Sequence, residues 1–412
     1  MESTIPHPAI KFLACCLLAA CAGSAPEDEV GSLAIRHVTV IDGVSSNPLA
    51  DQTVLIVGER ITAIGGEIPI PDSATVIDGT GRYLIPGLWD MHVHLAALSP
   101  KPRIPERLLE HGVTSFRDMG GRALELIEIR RALEVGERQG ARLFIAGRTI
   151  NGTGEVDFHQ AATNTEELRA VVEEHIQQGV DFLKVHHALR PELFALLIEE
   201  AALRDLELVG HPPLGISLAE ASEAGMRTIE HVEVLMETTM NRAENPAPDM
   251  RSALEELEGP LGQAVFELFA RNGTAHTPTL SAYEAFVESQ PDEASRAMGE
   301  RLQARLTGLV PLMQQAGVTL LAGTDNAGEP GEGLHRELEL LVEAGLTPAE
   351  ALQAATRNAA TIMGRQRDLG TIEVGRIADL VLLEANPLED INNVRRIVTV
   401  IQAGRVVHVG AF

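Results

Sequence analysis

A chain of 412 residues, 45% apolar and 22% charged, holds enough apolar material for one large domain and a small one. Its formal net charge of −26 repels phosphate backbones and anionic lipid surfaces, and no basic patch interrupts it; nucleic acid is excluded as a partner and a small-molecule substrate is expected. All three cysteines, Cys15, Cys16 and Cys21, lie at the N-terminus, so the rest of the chain must be stabilised by burial without disulfides.

The apolar run 12–20 is nine residues, too short to span a bilayer and suited to the core of a secretory signal. Leu18-Ala19-Ala20-Cys21 matches the end of a bacterial lipoprotein signal, in which the cysteine is lipidated and becomes the first residue. The leader departs from that pattern in being poorly basic, with Lys11 its only side-chain cation and Glu2 opposing it. The expectation is a leader over 1–20, a lipidated tether over 21–31, and an exported protein whose only membrane contact is that anchor, facing the periplasm or exterior. Ordinary cleavage nearby would instead give a soluble periplasmic protein. A homo-oligomer is compatible with either.

Residues 33–40 and 53–64 alternate apolar and polar side chains between glycine-containing turns, and 378–383 and 397–409 return to that style near the other end. These segments predict a small β-sandwich domain built from both chain ends, over 32–84 plus 366–412. Between them strand and helix patterns alternate. Strand candidates begin near Leu84, Val113, Leu143, Asp181, Leu206, Thr228, Thr274 and Val318, with helical runs such as 165–178 and 191–203 between them. Eight such units predict an α/β fold, a (β/α)8 TIM barrel over 85–365, with its chemistry at the carboxyl ends of the strands. Thr347-Pro348-Ala349-Glu350 is a capping box with proline at the first helical position, starting a helix through Ala359. The polar stretch 238–253 reads as an irregular lid or substrate loop.

Chemistry-bearing residues fall at those strand ends. In Trp89-Asp90-Met91-His92-Val93-His94 the two histidines are two apart and so share one face of a strand, as two ligands of one ion must; incidental histidines also fit that spacing. Only three of 33 basic residues are lysines, and Lys184 sits in the apolar run Val180-Asp181-Phe182-Leu183-Lys184-Val185. Burial disfavours an ammonium, and a neutral lysine amine can take up carbon dioxide as an anionic carbamate, which arginine cannot. A lysine paired with a carboxylate reads equally well there. His211, His231 and Asp325 each end a further short apolar run.

The order His-x-His, Lys, His, His, Asp, in "LIPGLWDMHVHL", "DFLKVHH", "LVGHPP", "TIEHV" and "LAGTDN", resembles the amidohydrolase superfamily, as do "EALQAATRNAA" and the tail "LGTIEVGRIADLVLLEANPLEDI". The likeness runs from Leu33 to the C-terminus and looks nearest to the lysine-carbamate branch of prolidase-like and imidazolonepropionase-related enzymes. It implies two divalent ions, zinc before manganese, cobalt or iron. His92, His94 and Asp325 would hold one ion, His211 and His231 the other, and carbamylated Lys184 would bridge them. It further implies Asp325 as the acid–base group in hydrolysis of an amide-type C–N bond, as in a dipeptide or N-acyl amino acid. A cyclic amide, lactone or other ester is the alternative on the same site, and a non-catalytic metal-binding lipoprotein is a third reading. His186 shares the inward face with Lys184 and is a candidate substrate contact, as are His276, His335 and His159. His111 and His175 read as surface helix residues, and Asp90 and Asp118 as orienting groups. Leu334, Leu338, Leu341 and Val342 fall on one helical face and read as core.

Overall fold

The computed structural model describes residues 31–410 except 46, 96–102, 155 and 327. The expected leader, most of the tether and Cys21 lie outside the described residues.

Both chain ends contribute to one sheet. Its hydrogen-bonded order is Arg405–Val409, Ile397–Gln402, Leu380–Leu383, Tyr83–Pro86, Ser32–Val40, Leu49–Val57, Arg60–Gly65, with Thr75–Asp78 as an eighth strand beside Ser32–Val40. The expectation of a sandwich is modified here: the strands pair as a single sheet, not as two separate ones. The reason lies in Ser32–Val40, which shifts register after Ile35 and passes through a positive φ of 56° at His37. Its first half pairs with Thr75–Asp78 while Thr39 and Val40 pair with Tyr83 and Leu84, so one bent strand serves two neighbours on the same edge. Leu33, Ile35, Val54, Leu84, Leu382 and Ile401 make a core of its own beneath this sheet.

The apolar run that begins at Tyr83 divides at Gly87. A Cβ there would lie 2.2 Å from Thr114 Oγ1, so only glycine lets the chain pass. Tyr83–Pro86 stays with the end sheet and Leu88–Val93 enters the half built of parallel strands and helices. There Leu88–Val93, Val113–Asp118 and Arg142–Ile145 pair in parallel. A second parallel sheet carries His159–Ala161, Thr149–Asn151, Leu183–Val185, Leu208–Gly210, Thr228–Glu230 and Ala275–Thr277. Seven of the eight expected strand positions therefore carry strands. The eighth is an extended segment with one bridge, His276 to Leu320. Backbone bonds cross the two seams: Asp181 N to Ile145 O at 2.9 Å, and Met91 N to Ala322 O at 2.9 Å. The arrangement is TIM-barrel-like, with regular ladders in two sheets and not in one continuous closed sheet. Its core strands are buried throughout, as parallel strands with helices outside require.

Helices confirm most of the sequence pattern. Thr165–Gln178 is capped by the Asn164 side chain and ends at left-handed Gly179. The Thr347–Glu350 capping box forms, but its helix stops at Ala354 and a second, Arg357–Ile362, begins after Thr356 leaves helical geometry. That break lets the Ala355 carbonyl accept from Trp89 N at 2.8 Å. Residues 238–253 are less irregular than expected: the helices Val232–Asn241 and Met250–Glu258 leave only the connection between them without regular structure. Leu334, Leu338 and Leu341 are fully buried, as the helical stripe indicated.

Candidate metal centre

His92 and His94 leave the end of Leu88–Val93 toward Asp325, with Nε2 atoms 3.6 and 3.5 Å from Asp325 Oδ1. Each ring is held from behind by its other nitrogen. His94 Nδ1 donates to the Gly120 carbonyl at 2.8 Å. His92 Nδ1 lies 3.0 Å from Glu230 Oε2, and Glu230 Oε1 accepts from Arg117 Nη2 at 2.9 Å and from the Thr228 hydroxyl. Arg117 in turn donates to the Met91 carbonyl at 2.7 Å. Glu230 and Arg117 have no exposed side-chain surface. Burial alone would raise the Glu230 pKa, but the Arg117 charge and the Thr228 hydrogen bond outweigh it and hold the carboxyl below its ordinary range. An ionised Glu230 accepts from His92 Nδ1–H and leaves the Nε2 lone pair facing Asp325.

Lys184 Nζ lies 3.4 Å from His92 Nε2, and burial pushes its pKa down to about 8. Asp325 has a positive φ of 48° and Asn326 one of 62°. The Asn326 side chain holds this turn to the neighbouring strand, accepting from His94 N at 3.0 Å and donating to His94 O at 2.8 Å. Burial raises the Asp325 carboxyl to about 6 against the pull of Lys184. Asp90 accepts from Thr324 N, from the Thr324 hydroxyl and from His92 N, while Asp118 accepts from Leu95 N and Gly120 N; both orient the strand ends, as expected.

His231 stands at a positive φ of 66° and its Nδ1 meets Thr279 Oγ1 at 2.8 Å. Its ring is 4.6 Å from that of His92 and 4.8 Å from that of His211. The His211 ring is 4.3 Å from His186, which is 4.9 Å from His159. Phe158 completes the circuit, 4.8 Å from His159 and 5.5 Å from His94. Seven rings thus form a closed loop of neighbours, containing all four histidines expected as ligands and two of the expected substrate contacts. Burial keeps the four imidazoles expected as ligands neutral, with His94 and His231 pushed down to about 3 and His92 and His211 also well below their usual value. Neutral imidazole is the metal-binding form. One ligand atom from each of His92, His94 and Asp325 lies within 4.8 Å of the others, as does one from each of His186, His187 and His211. This nitrogen-rich set, with a carboxylate, fits a zinc-type divalent ion.

Two expected contacts fall elsewhere. His335 is buried and bonds the His111 carbonyl at 3.0 Å, joining the helix Glu332–Glu343 to the end of Ile104–Glu110. His276 is wholly buried in Ala275–Thr277 and has no exposed surface to offer a substrate. His175 is corrected as well: it is buried, with both ring nitrogens 2.7 Å from the carbonyls of Val171 and Arg148, and the His111 side chain is mostly buried. Sequence reasoning missed Glu230, Arg117, Thr279, Asn326, Phe158 and His187. The available signal for Arg117 and Glu230 was a long charged side chain within each of two short strand segments, Val113–Asp118 and Thr228–Glu230.

Comparison with known proteins places these features. The model of the Amidohydrolase family matches residues 83–407. Ochratoxinase of Aspergillus niger is 27% identical over 89% of this chain and 84% of its own length. Imidazolonepropionase of Shouchella clausii is 25% identical over 90% of this chain and 91% of its own. Among solved structures, a prolidase complexed with N-methylphosphonate-L-proline superposes with a TM-score of 0.76 at 26% identity, covering 92% of this chain and all of that one.

Proposed function

This chain belongs to the amidohydrolase family, and on that premise we propose that it hydrolyses the amide bond of a dipeptide or N-acyl amino acid at a pair of divalent ions, zinc before others. The observation that supports this most is the convergence of His92 Nε2 and His94 Nε2 on the Asp325 carboxylate, at 3.6 and 3.5 Å, with Lys184 Nζ 3.4 Å from His92 Nε2. His92, His94 and Asp325 would hold one ion and His211 and His231 the other. Lys184, once its neutral Nζ has added carbon dioxide and lost a proton, would supply an anionic ligand to both. When bound, such ions make water acidic near neutral pH and polarise a carbonyl.

The remaining steps belong to the chain. Asp325 accepts the proton of the attacking water and delivers it to the leaving nitrogen as the C–N bond breaks, since an amide anion is a very poor leaving group. Burial raises the Asp325 carboxyl, which favours the delivering form. His159 and His186, on the far side of the ring circuit, face the substrate's acyl or amine part. The test is elemental analysis of purified protein together with turnover of a panel of dipeptides, acyl amino acids and lactones. About two ions per chain and chelator-sensitive amide turnover are expected. Hydrolysis without bound metal would sink the reading, and turnover of lactones alone would move it to the ester alternative.

We place the protein, from Leu18-Ala19-Ala20-Cys21, in the bacterial envelope on a lipid anchor. Cys21→Ala should move it from the membrane fraction to the soluble one with catalysis intact. A free Cys21 thiol in the mature protein would refute the anchor.

A further inference from the structure

His187 follows His186 but, unlike it, is exposed. The two rings are 4.2 Å apart, and one nitrogen from each of His186, His187 and His211 lies within 4.8 Å of the others. Tetrahedral zinc with nitrogen ligands at about 2.0–2.1 Å sets those nitrogens about 3.3–3.4 Å apart, so the three side chains must close in by up to about 1.4 Å to hold an ion. His186 Nδ1 and His211 Nε2 are both buried without a hydrogen-bond partner. Their rings are 4.3 Å apart, and a buried polar atom without a partner is costly unless something binds it. The helix Val232–Asn241 brings carboxylates to the same region. Glu237 is an electrostatic neighbour of His187, and Glu233, one turn earlier, of both Glu237 and Asp325. Glu233 Oε2 is buried and likewise unpartnered.

These groups make a graded path. His187 and Glu237 stand in solvent, His186 and His211 follow, and His231 borders His211 at 4.8 Å. His211 is common to this cluster and to the paired-ion reading. We propose that His186, His187 and His211 form an entry site for a divalent transition-metal ion, which reaches the inner centre by ligand exchange on His211. The inference rests on the metal reading above. Its physical reason is that a bare dication in a low-dielectric interior is prohibitively costly, whereas exchange of one nitrogen for the next keeps the ion ligated at each step. The net negative charge of the chain, with Glu237 at the mouth, raises the local concentration of cations.

The path out is the path in reversed, so isotope exchange measures both. Metal-loaded protein as purified is incubated with isotopically enriched zinc chloride, and the isotope ratio of bound metal is followed by mass spectrometry. His187→Ala should exchange about tenfold more slowly or worse, the scale on which outer ligands matter, while keeping the wild-type ion count and turnover. Glu237→Gln should slow exchange by a smaller factor that vanishes at high salt. Exchange at the wild-type rate in His187→Ala would overturn the entry site and leave the metal reading standing. A His187→Ala protein short of one ion at equilibrium would overturn it too, by making His187 a resident ligand. Wild-type protein that neither holds nor exchanges zinc would instead bring down the metal reading itself.

Discussion

The residues that touch the expected ions depend on others that do not. His92 presents Nε2 because Glu230 accepts a hydrogen bond from its Nδ1–H, and Glu230 stays ionised because Arg117 lies 2.9 Å away. Glu230→Gln should therefore act twice. It leaves the Arg117 guanidinium buried and uncompensated, a loss of about 3–5 kcal/mol that urea unfolding would measure. It also frees His92 to adopt the other tautomer, lowering metal affinity about 10–100-fold in a chelator competition. Unchanged affinity would mean that His92 is fixed by packing alone. Asp325→Asn separates binding from proton transfer in the same way. It retains an oxygen ligand, so metal retention should exceed that of His92→Ala, yet amide turnover should fall by ~10²–10⁴. An activated ester should suffer less, because its leaving oxygen needs little protonation; equal losses would assign Asp325 to metal holding only. At this scale the ligand candidates were legible because each carries a local signal: a period of two at His92 and His94, a rare lysine in an apolar strand at Lys184. Glu230 and Arg117 were not, since they are 113 residues apart and only the fold makes them a pair.

At the scale of elements, the strands position ligands and the helices lock the turns that come after them. His231 is steadied by Thr279, the residue before the helix Leu280–Glu288, and that helix is capped from a distance. Both oxygens of Glu337, on Glu332–Glu343, accept from its first backbone donors, Leu280 N at 3.1 Å and Ser281 N at 2.8 Å. Local caps such as Thr347 with Glu350 are visible in sequence because three residues separate the partners. Glu337 is 57 residues from Leu280 and gives no such signal. Burial raises its carboxyl to about 7 despite those two bonds. A folded pKa above the unfolded value means that the folded state favours the proton. Glu337's contribution is thus fully present below the unfolded pKa, near 4.5, and is lost as pH rises through about 7. Glu337→Gln removes that titration. Wild type should lose stability relative to the variant between pH 5 and pH 8, by on the order of 1–3 kcal/mol. Parallel stability curves for the two proteins across that range would show that Glu337 does not titrate there. The long helix boundaries were legible because amphipathic period and caps coincide, as in Thr165–Gln178. The eighth strand was legible in place but not in form, because its pairing reduces to the bridge at Leu320.

Across the whole molecule, chemistry and stability lie at opposite ends of the same strands. Asp379, from the end sheet, binds Arg142 at the start of Arg142–Ile145, with Oδ2 2.8 Å from Nη1. Its Oδ1 accepts from Ala403 N at 2.8 Å, and its carbonyl accepts from Gly87 N at 2.8 Å, where the chain passes from one half to the other. Gln402 adds a bond to the Thr114 carbonyl at 3.0 Å. Asp379 thus ties both chain ends to the amino-terminal side of the catalytic strands, while every expected ligand lies toward their carboxyl ends. In barrels of this kind the first face serves stability and the second serves the reaction. Asp379→Ala strands Arg142, which retains only Ser115 Oγ at 3.1 Å, and leaves Ala403 N without its acceptor. It should cost about 2–5 kcal/mol of unfolding free energy. Below its melting temperature the variant should keep wild-type metal content and turnover, the reverse of the pattern expected for Asp325→Asn. A large fall in turnover by folded Asp379→Ala would show that the end sheet shapes the metal centre through the length of the strands and does more than close their far end.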